Sequence, residues 1–331
     1  MKHEPRCSKP SPADWRAAKV TVCIAALAEG GKKIVMASDS KAAFGDFSAD
    51  RGVIKNIPIG HYYAILIAGN DVGYAMPTIQ RIKKVMPKDI TDPDSIAMLV
   101  HEQLVITRKH KIEARLLSKL GFTVDSFMKT GKDLLTESVY YDLISEIRRE
   151  ELSLTFLLAG FDSAKRGHLR IVTSDDSPQD FDMLNFAAIG SGAQTALASL
   201  SFAKDHCGLY HISDMAHVTY HVLAAKFMAE SATDVGRQTF FVCTGPDGEC
   251  HFLNPFAGGV EPIRRIWEES GAPKPAQQAI EAARDLMHEG DEDPESAECL
   301  TRAMKYASPA KKSLIELKLK QLTSGTSMGQ Q

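Results

Sequence analysis

The segment 21-TVCIAALA-28 limits the folds available to this chain, because it is apolar on both of its alternating faces. One face comprises Thr21, Cys23, Ala25 and Leu27, and the other comprises Val22, Ile24 and Ala26. A strand of this kind lies between two layers of a protein, since a strand at a solvated surface carries polar side chains on one face. The glycine turn 29-EGGK-32 links residues 20–28 to a second apolar segment, residues 33–38. The sequence therefore predicts a buried hairpin at this point.

The remaining patterns predict an α+β fold of antiparallel sheets with helices on their outer faces. Further strands are predicted at 52–59, 62–69, 152–162, 168–174, 183–190, 237–244 and 249–256. Helices are predicted at 77–86, 93–108 and 193–204, within the charged stretch 109–150, and after a cap at Ser213 or Asp214. Asp92 or Asp94 is the candidate N-cap of the helix at 93–108. Strands and helices thus follow one another in blocks, without the regular alternation that is typical of a parallel sheet.

Composition and charge argue against several classes of function. The 331 residues are 44% hydrophobic and 24% charged, and the formal net charge of −3 gives no support for nucleic acid or an anionic membrane as the main partner. No apolar run approaches the ~20 residues that a membrane span needs. Residues 1–20 lack the apolar core of a secretory signal, and the six cysteines lack C-x-x-C spacing. We therefore expect a cytoplasmic protein.

Two charged residues interrupt the apolar pattern. Asp39 ends the segment 33–38, and Lys55 lies inside the run 52-GVIKNIPI-59. If both face a common interior, they form a buried charge pair, and burying such a pair is unfavourable unless it has a purpose. Considered singly, each has an ordinary structural role: Asp39 as a turn residue and Lys55 as a side chain that reaches water from a strand edge. Thr21 alone is simply a residue type that favours strands.

The order of five pieces of sequence resembles that of the proteasome β-type subunits, which are N-terminal-nucleophile (Ntn) hydrolases. The pieces are TVCIA with VMASDSK, VIKNI with AILIAG, LLAGFD, AAIGSGAQTAL, and the helix before the final strand pair. TVC followed by ASDS is particularly similar to the bacterial proteasome homologue called Anbu. The resemblance covers residues 21–105 and 152–256.

This resemblance implies a four-layer αββα sandwich that hydrolyses peptide or amide bonds. In that family the first residue of the mature chain is the nucleophile, and its own free α-amine is the base. Carried over by position, the catalytic residues are Thr21, Asp39, Lys55 and Ser191, and the backbone at Gly69 is the oxyanion-binding segment. The chemistry is coherent, because a threonine hydroxyl needs an adjacent base and a nearby lysine cation favours its deprotonation.

The same resemblance implies a homo-oligomeric ring or spiral that acts on peptides or unfolded proteins, with an unfoldase as a candidate partner. It implies no cofactor and no metal. The segment 190-GSG-192 lacks the spacing of a phosphate-binding loop and is interpreted as a strand-to-helix turn. His217 and His221 have a spacing that can bind zinc, but no H-E-x-x-H glutamate accompanies them, so solvated or capped histidines are the preferred interpretation.

The nucleophile itself has an alternative. Val20 precedes Thr21, where self-cleaving members of the family usually have glycine. Counting back from Asp39 without a gap places Cys23 at the nucleophile's position, and cysteine is a competent nucleophile in related hydrolases. A longer turn at 29–33 restores Thr21 to that position, and Thr21 is the preferred assignment.

A second departure lies before the last strand pair. The family places Asp and Ser before a glycine there, whereas this chain has Val235 directly before Gly236. In the family this Asp and Ser support the nucleophile, and Glu230 and Asp234 are the candidates to replace them here.

The sequence divides into three parts. Residues 1–20 are an N-terminal extension or propeptide, residues 21–256 form the hydrolase domain with a helical insertion at 109–150, and residues 257–331 form a helical, partly disordered tail. The leading hypothesis is a threonine hydrolase that becomes active after residues 1–20 are removed. The alternative is a non-catalytic proteasome-like subunit or scaffold that retains them.

Overall fold

The strand β1 (Val22–Ala28) is buried along its whole length, as its two apolar faces require. The structure is a computed structural model of the chain. The structure describes residues 21–44, 47–49, 54–87, 90–209, 213–232, 234–247, 250–253, 260–271 and 315–316. The expectations for residues 1–20 and for most of the tail therefore lie outside the described residues.

The described residues form twelve strands and seven α-helices. After β1 the strands are β2 (Lys33–Asp39), β3 (Ala42–Phe44), β4 (Phe47–Ala49), β5 (Asn56–Ile59), β6 (Tyr63–Gly69), β7 (Leu154–Phe161), β8 (Gly167–Val172), β9 (Gln179–Asp180), β10 (Phe186–Gly190), β11 (Thr239–Thr244) and β12 (Cys250–Leu253). The helices are α1 (Ala75–Val85), α2 (Pro93–Ile112), α3 (Val124–Leu134), α4 (Glu137–Arg149), α5 (Ala193–His206), α6 (Met215–Ala229) and α7 (Glu261–Ile266).

Ten of these strands build two antiparallel sheets. The first sheet has the order β10-β1-β2-β11-β12, and the second has the order β5-β6-β7-β8-β9. In the first sheet Val22 is opposite Gly190, Cys23 is opposite Ser38, and Asp39 is opposite Thr239. This register brings the start of β1, the ends of β2 and β10, and the start of β11 to one end of the sheet.

Three apolar clusters separate the layers. One lies between the two sheets and includes Ala25, Met36 and Leu157. A second covers the other face of the first sheet with α5 and α6, and a third covers the other face of the second sheet with α1 and α2. The predicted α+β fold, a four-layer sandwich of two antiparallel sheets with helices outside, is thereby confirmed.

The chain between α2 and β7 has a small core of its own. Ile112, Leu117, Phe127 and Ile147 are buried together where the end of α2 meets α3 and α4. The stretch predicted as a helical insertion, residues 109–150, is helical as expected, although its first residues continue α2. None of the described helices is both long enough and apolar enough to cross a membrane.

Chain contacts divide the protein into the units Met1–Ala272 and Pro273–Gln331. Residues 260–271, which the sequence assigned to the tail, belong to the first unit, where Trp267 lies 5.5 Å from the ring of Phe227 on α6. Of the second unit only residues 315–316 are described, and they are helical.

The structure also decides two capping alternatives and adds elements that were not predicted. Asp92 caps α2 by accepting from the N–H of Ser95, whereas Asp94 contacts Arg170 at 2.9 Å. Asp214 caps α6. The short strands β3, β4 and β9 were not predicted, because segments of two or three residues carry too little periodic pattern, whereas α7 lies in the tail that was predicted to be helical.

Candidate active site

Thr21, Asp39 and Lys55 meet at the end of the first sheet. Thr21 directly precedes β1, and Asp39 is the last residue of β2. Lys55 comes from the second sheet's side: it directly precedes β5, and its carbonyl accepts from the N–H of Ile67 at 3.0 Å. The lysine side chain therefore links the two sheets.

The threonine hydroxyl lies between the two charges. Thr21 Oγ1 donates to Asp39 Oδ1 at 2.6 Å and accepts a hydrogen bond from Lys55 Nζ. Lys55 Nζ also donates to Asp39 Oδ1 at 2.7 Å. The exposed fractions are 1% for Thr21, 0% for Asp39 and 5% for Lys55. In such a site the local dielectric is low, so the charges act on the hydroxyl more strongly than they would in water.

Asp39 is held by five donors from four parts of the chain. Oδ1 accepts from the Thr21 hydroxyl, from Lys55 and, at 2.9 Å, from the N–H of Val22. Oδ2 accepts from the N–H of Lys41 at 3.1 Å and from that of Gly236 at 3.2 Å. Both oxygens are thus fixed, and the buried carboxylate is satisfied as a buried charge must be.

Ser191 lies on the backbone side of Thr21. The Thr21 N–H donates to Ser191 Oγ at 3.2 Å, and the same hydroxyl donates to the Thr21 carbonyl, also at 3.2 Å. The neighbouring Gly190 has a φ of +99°, and a Cβ there would lie 2.3 Å from the Thr21 carbonyl oxygen. Only glycine allows β10 to approach the threonine this closely.

The side chain of Cys23, the alternative nucleophile, points into the apolar core between the two sheets. It has no exposed surface and lies in the apolar cluster between the sheets, where its thiol donates to the carbonyl of Ile67 at 3.3 Å. Burial raises the pKa of this thiol to about 12, although the nearby Lys55 lowers it somewhat. A thiol with so little thiolate at neutral pH is a poor nucleophile.

Gly69, the expected oxyanion-binding residue, is at the end of β6 opposite Leu154. Its φ is +136°, and a Cβ there would lie 2.1 Å from the carbonyl oxygen of Ser153. The following N–H groups, of Asn70 and Asp71, both donate to Ser153. The structure thus shows why glycine is needed here, namely close packing against β7, and its assignment to the oxyanion stays a prediction.

The structure adds a charged cluster that was only partly foreseen. Glu230 is one of the two candidates to replace the missing support of the nucleophile, and it forms ion pairs with Lys226 and Arg264. Lys226 in turn donates to the backbone carbonyl of Gly236. A sequence signal existed for Lys226: it stands in α6, which is apolar nearly all round, and a helix of that kind is buried. Arg264 lies in the segment that the sequence assigned to the tail.

Among the described residues, no group of three or more His, Cys, Asp or Glu side chains is arranged to hold a metal. His217 and His221 contact each other through Nε2 atoms 3.0 Å apart. Burial, and then the charge of His217, lower the pKa of His221.

Comparison with known proteins adds no relative. No family model matches the sequence. No curated protein matches it either.

Proposed function

We propose that this chain is a proteasome-like threonine hydrolase that cleaves peptide bonds with Thr21 as an N-terminal nucleophile. The observation that carries the proposal is the position of the Thr21 hydroxyl, which lies in hydrogen-bond contact with both Lys55 and Asp39 in a buried site. A structural threonine does not need a buried lysine and carboxylate, whose desolvation is unfavourable.

The base in this mechanism is the α-amine of Thr21, which forms when the bond between residues 20 and 21 is hydrolysed. An α-amine has an unperturbed pKa near ~8, which suits a general base at neutral pH. The nitrogen of Thr21 already contacts Ser191 Oγ, so the freed amine starts beside a hydroxyl that can orient it. Residue 20 itself lies outside the described residues.

During acylation the hydroxyl proton of Thr21 moves first to the α-amine and then to the leaving group. Thr21 Oγ1 attacks the substrate carbonyl while its proton passes to the α-amine, and Lys55 stabilises the negative charge that develops on Oγ1. The α-ammonium returns that proton to the leaving amine as the peptide C–N bond breaks, which leaves an ester on Thr21. Water attacks the ester while one of its protons passes to the α-amine. As the bond between the acyl carbon and Oγ1 breaks, the α-ammonium returns that proton to Oγ1, which releases the acid product and restores the free hydroxyl.

The second candidate is a non-catalytic subunit or scaffold that retains residues 1–20. Two observations favour it: Thr21 is buried, and Val20 stands where self-cleaving relatives of the proposed family carry glycine. A retained extension leaves the Thr21 nitrogen as an amide, which cannot act as the base.

The mass of the intact protein, with N-terminal sequencing, separates the two functions. Protein expressed from the full-length gene in its native host should, when mature, begin at Thr21 and should cleave N-blocked peptidyl coumarin amides. The Thr21→Ala variant should be inactive, whereas Cys23→Ala, the matched control, should keep its activity. Retention of residues 1–20 on assembled protein contradicts the hydrolase and supports the scaffold, and a chain beginning at Cys23 moves the chemistry to the thiol.

A further inference from the structure

The segment that leads into β11 reaches the candidate active site through a single backbone group. The N–H of Gly236 donates to Asp39 Oδ2 at 3.2 Å, and with the N–H of Lys41 it fixes that oxygen. Because Oδ1 carries the contacts to Thr21 and Lys55, any rotation of the carboxylate disturbs the hydroxyl.

Two cations fix the carbonyl groups of the same segment. Lys226 Nζ donates to the carbonyls of Gly236 and Arg237, both at 2.8 Å. Arg264 Nη2 donates to the carbonyl of Arg237 at 2.8 Å. Gly236 is therefore held from two sides, with its carbonyl on Lys226 and its N–H on Asp39.

One carboxylate holds both cations in place. Glu230 accepts from Lys226 Nζ at 2.5 Å and from both terminal nitrogens of Arg264 at 2.7 Å. The Arg264 guanidinium also lies 4.2 Å from the centre of the Phe227 ring, a favourable cation–π contact. The Lys226 ammonium has three N–H groups, and their acceptors are the Glu230 carboxylate and the carbonyls of Gly236 and Arg237. The ammonium is therefore held in one position.

We propose that Lys226, Glu230 and Arg264, here called the α6–α7 charge cluster, are positioning residues for the hydrolysis at Thr21. They hold the Gly236 N–H on Asp39, and Asp39 in turn holds Lys55 and the Thr21 hydroxyl in their reactive arrangement. The catalytic part of this inference rests on the proposed function, whereas the positioning part concerns the fold alone.

Two of the three residues of the α6–α7 charge cluster are buried. Lys226 has no exposed surface and Arg264 is 3% exposed. Burial lowers the pKa of Lys226 to about 8, against the opposing effect of Glu230. Well-packed apolar residues would stabilise a protein interior at least as well as such a cluster. Its distinguishing property is the fixed direction of its hydrogen bonds.

The test combines a structural and a kinetic measurement on the full-length protein. Lys226→Met removes the donors and keeps an apolar stem, and Glu230→Gln keeps the shape of the anchor if the first variant folds poorly. Lys111→Met is the matched control, since Lys111 is also a buried, ion-paired lysine but binds Asp71 and Glu150. Amide hydrogen exchange is measured at Gly236, and kcat and KM are measured on the N-blocked peptidyl coumarin amide that the wild type cleaves fastest.

We expect exchange at Gly236 to become about tenfold faster in Lys226→Met, and kcat to fall about tenfold at unchanged KM, since the hydrogen bond from the Gly236 N–H to the charged Asp39 is weakened far from the substrate. Glu230→Gln should change both in the same direction. Lys111→Met should change neither when the variants are compared per folded molecule.

Unchanged exchange at Gly236 in both cluster variants overturns the positioning role. Faster exchange with unchanged kcat overturns the catalytic role, as does an equal loss of kcat in Lys111→Met. A wild-type protein that cleaves no peptide overturns the proposed function and the catalytic role with it, and the exchange measurement then still decides the positioning role.

Discussion

Two buried lysines in this protein have different surroundings. Lys111, near the end of α2, donates to Asp71 at 2.7 Å, to Glu150 at 2.9 Å and to the carbonyl of Glu151 at 2.6 Å. Lys55 donates to one carboxylate, Asp39, and to the hydroxyl of Thr21. The acceptors of Lys111 are two carboxylates and a backbone carbonyl. One of the two acceptors of Lys55 is a hydroxyl oxygen, which is a group that can act as a nucleophile.

The difference shows that a buried ion pair is not by itself a sign of catalysis. Lys111 joins α2 to the segments before α1 and β7, and that structural role accounts for all its contacts. Burial alone would lower its pKa, but the hydrogen bonds to Asp71 and Glu150 outweigh this effect and raise the pKa. At Lys55 the added element is the hydroxyl of Thr21.

The largest effect is expected for Lys55→Met. We expect kcat to fall by at least about 10³-fold, because the negative charge that develops on Thr21 Oγ1 loses its nearest cation in a low-dielectric site. The measurement is peptide hydrolysis by protein whose N-terminus has been checked by mass. Thr21→Ala should be equally inactive, and the double variant should be no worse, since residues of one catalytic unit are not additive. Activity above a tenth of wild type contradicts the role of Lys55.

Gly190→Ala comes next. The added Cβ would lie 2.3 Å from the Thr21 carbonyl oxygen, so either β10 or Thr21 must move. We expect kcat to fall about 10²-fold, since a misplacement of ~1 Å at the reacting group has that consequence. Gly121→Ala is the control: it also has a positive φ, +77°, but its Cβ meets nothing within 4 Å. If both variants lose equal activity, backbone strain and not the position of Thr21 is the cause.

Lys111→Met should act on stability alone. Removing one partner of a buried pair destabilises by about 3 kcal/mol, because the remaining carboxylates lose their compensation. Urea unfolding followed by circular dichroism measures this loss, and activity per folded molecule should match wild type. A loss of activity at full folding would mean that the Lys111 site is coupled to the chemistry, which removes the contrast with Lys55.

The smallest effect is expected for His168, a residue of β8 that lies in a more exposed group of charged side chains. His168 lies between Asp182 and Asp162, and the hydrogen bond to Asp182, opposed by burial and helped by Asp162, raises the pKa of the histidine. Its contribution to stability is therefore complete below the unfolded pKa of ~6.5 and is lost as the pH rises through the folded value. The pKa values of both aspartates are lowered, so they stay charged in that range.

Wild type should exceed His168→Asn in stability by under about 1 kcal/mol near pH 5.5, and this advantage should shrink at pH 8.5. Urea midpoints at the two pH values measure the difference. An advantage that grows with pH would reverse the sign of the assigned shift.

The sequence predicted the architecture well where apolar patterns were long. β1, β2, β6 and β7 were recognisable as long apolar runs. The meeting of Asp39 with Lys55 was expected only if both faced a common interior, and Lys55, predicted inside a strand, directly precedes β5. β3, β4 and β9 were missed because two or three residues show no period.

The α6–α7 charge cluster was harder to predict for a different reason. Lys226 and Glu230 have the i, i+4 spacing of an ordinary surface pair on a helix. Their partner Arg264 is 34 positions from Glu230 along the chain, and only the packing of α7 on α6 brings the two together. No local pattern encodes that contact. Val235 before Gly236 indicated that the nucleophile lacks the support usual in the family. In the structure the Gly236 N–H contacts Asp39, and Lys226 binds the Gly236 carbonyl.

The five donors on Asp39 also bear on when the centre forms during synthesis. Four of them lie within 18 positions of Asp39, but Gly236 is 197 positions away. A nascent chain is made from its N-terminus at about 5–20 residues per second, so this last donor leaves the ribosome many seconds after Asp39. The carboxylate can complete its set of partners only once nearly the whole first unit has been translated. A chain released early by a stalled ribosome therefore carries an incomplete centre.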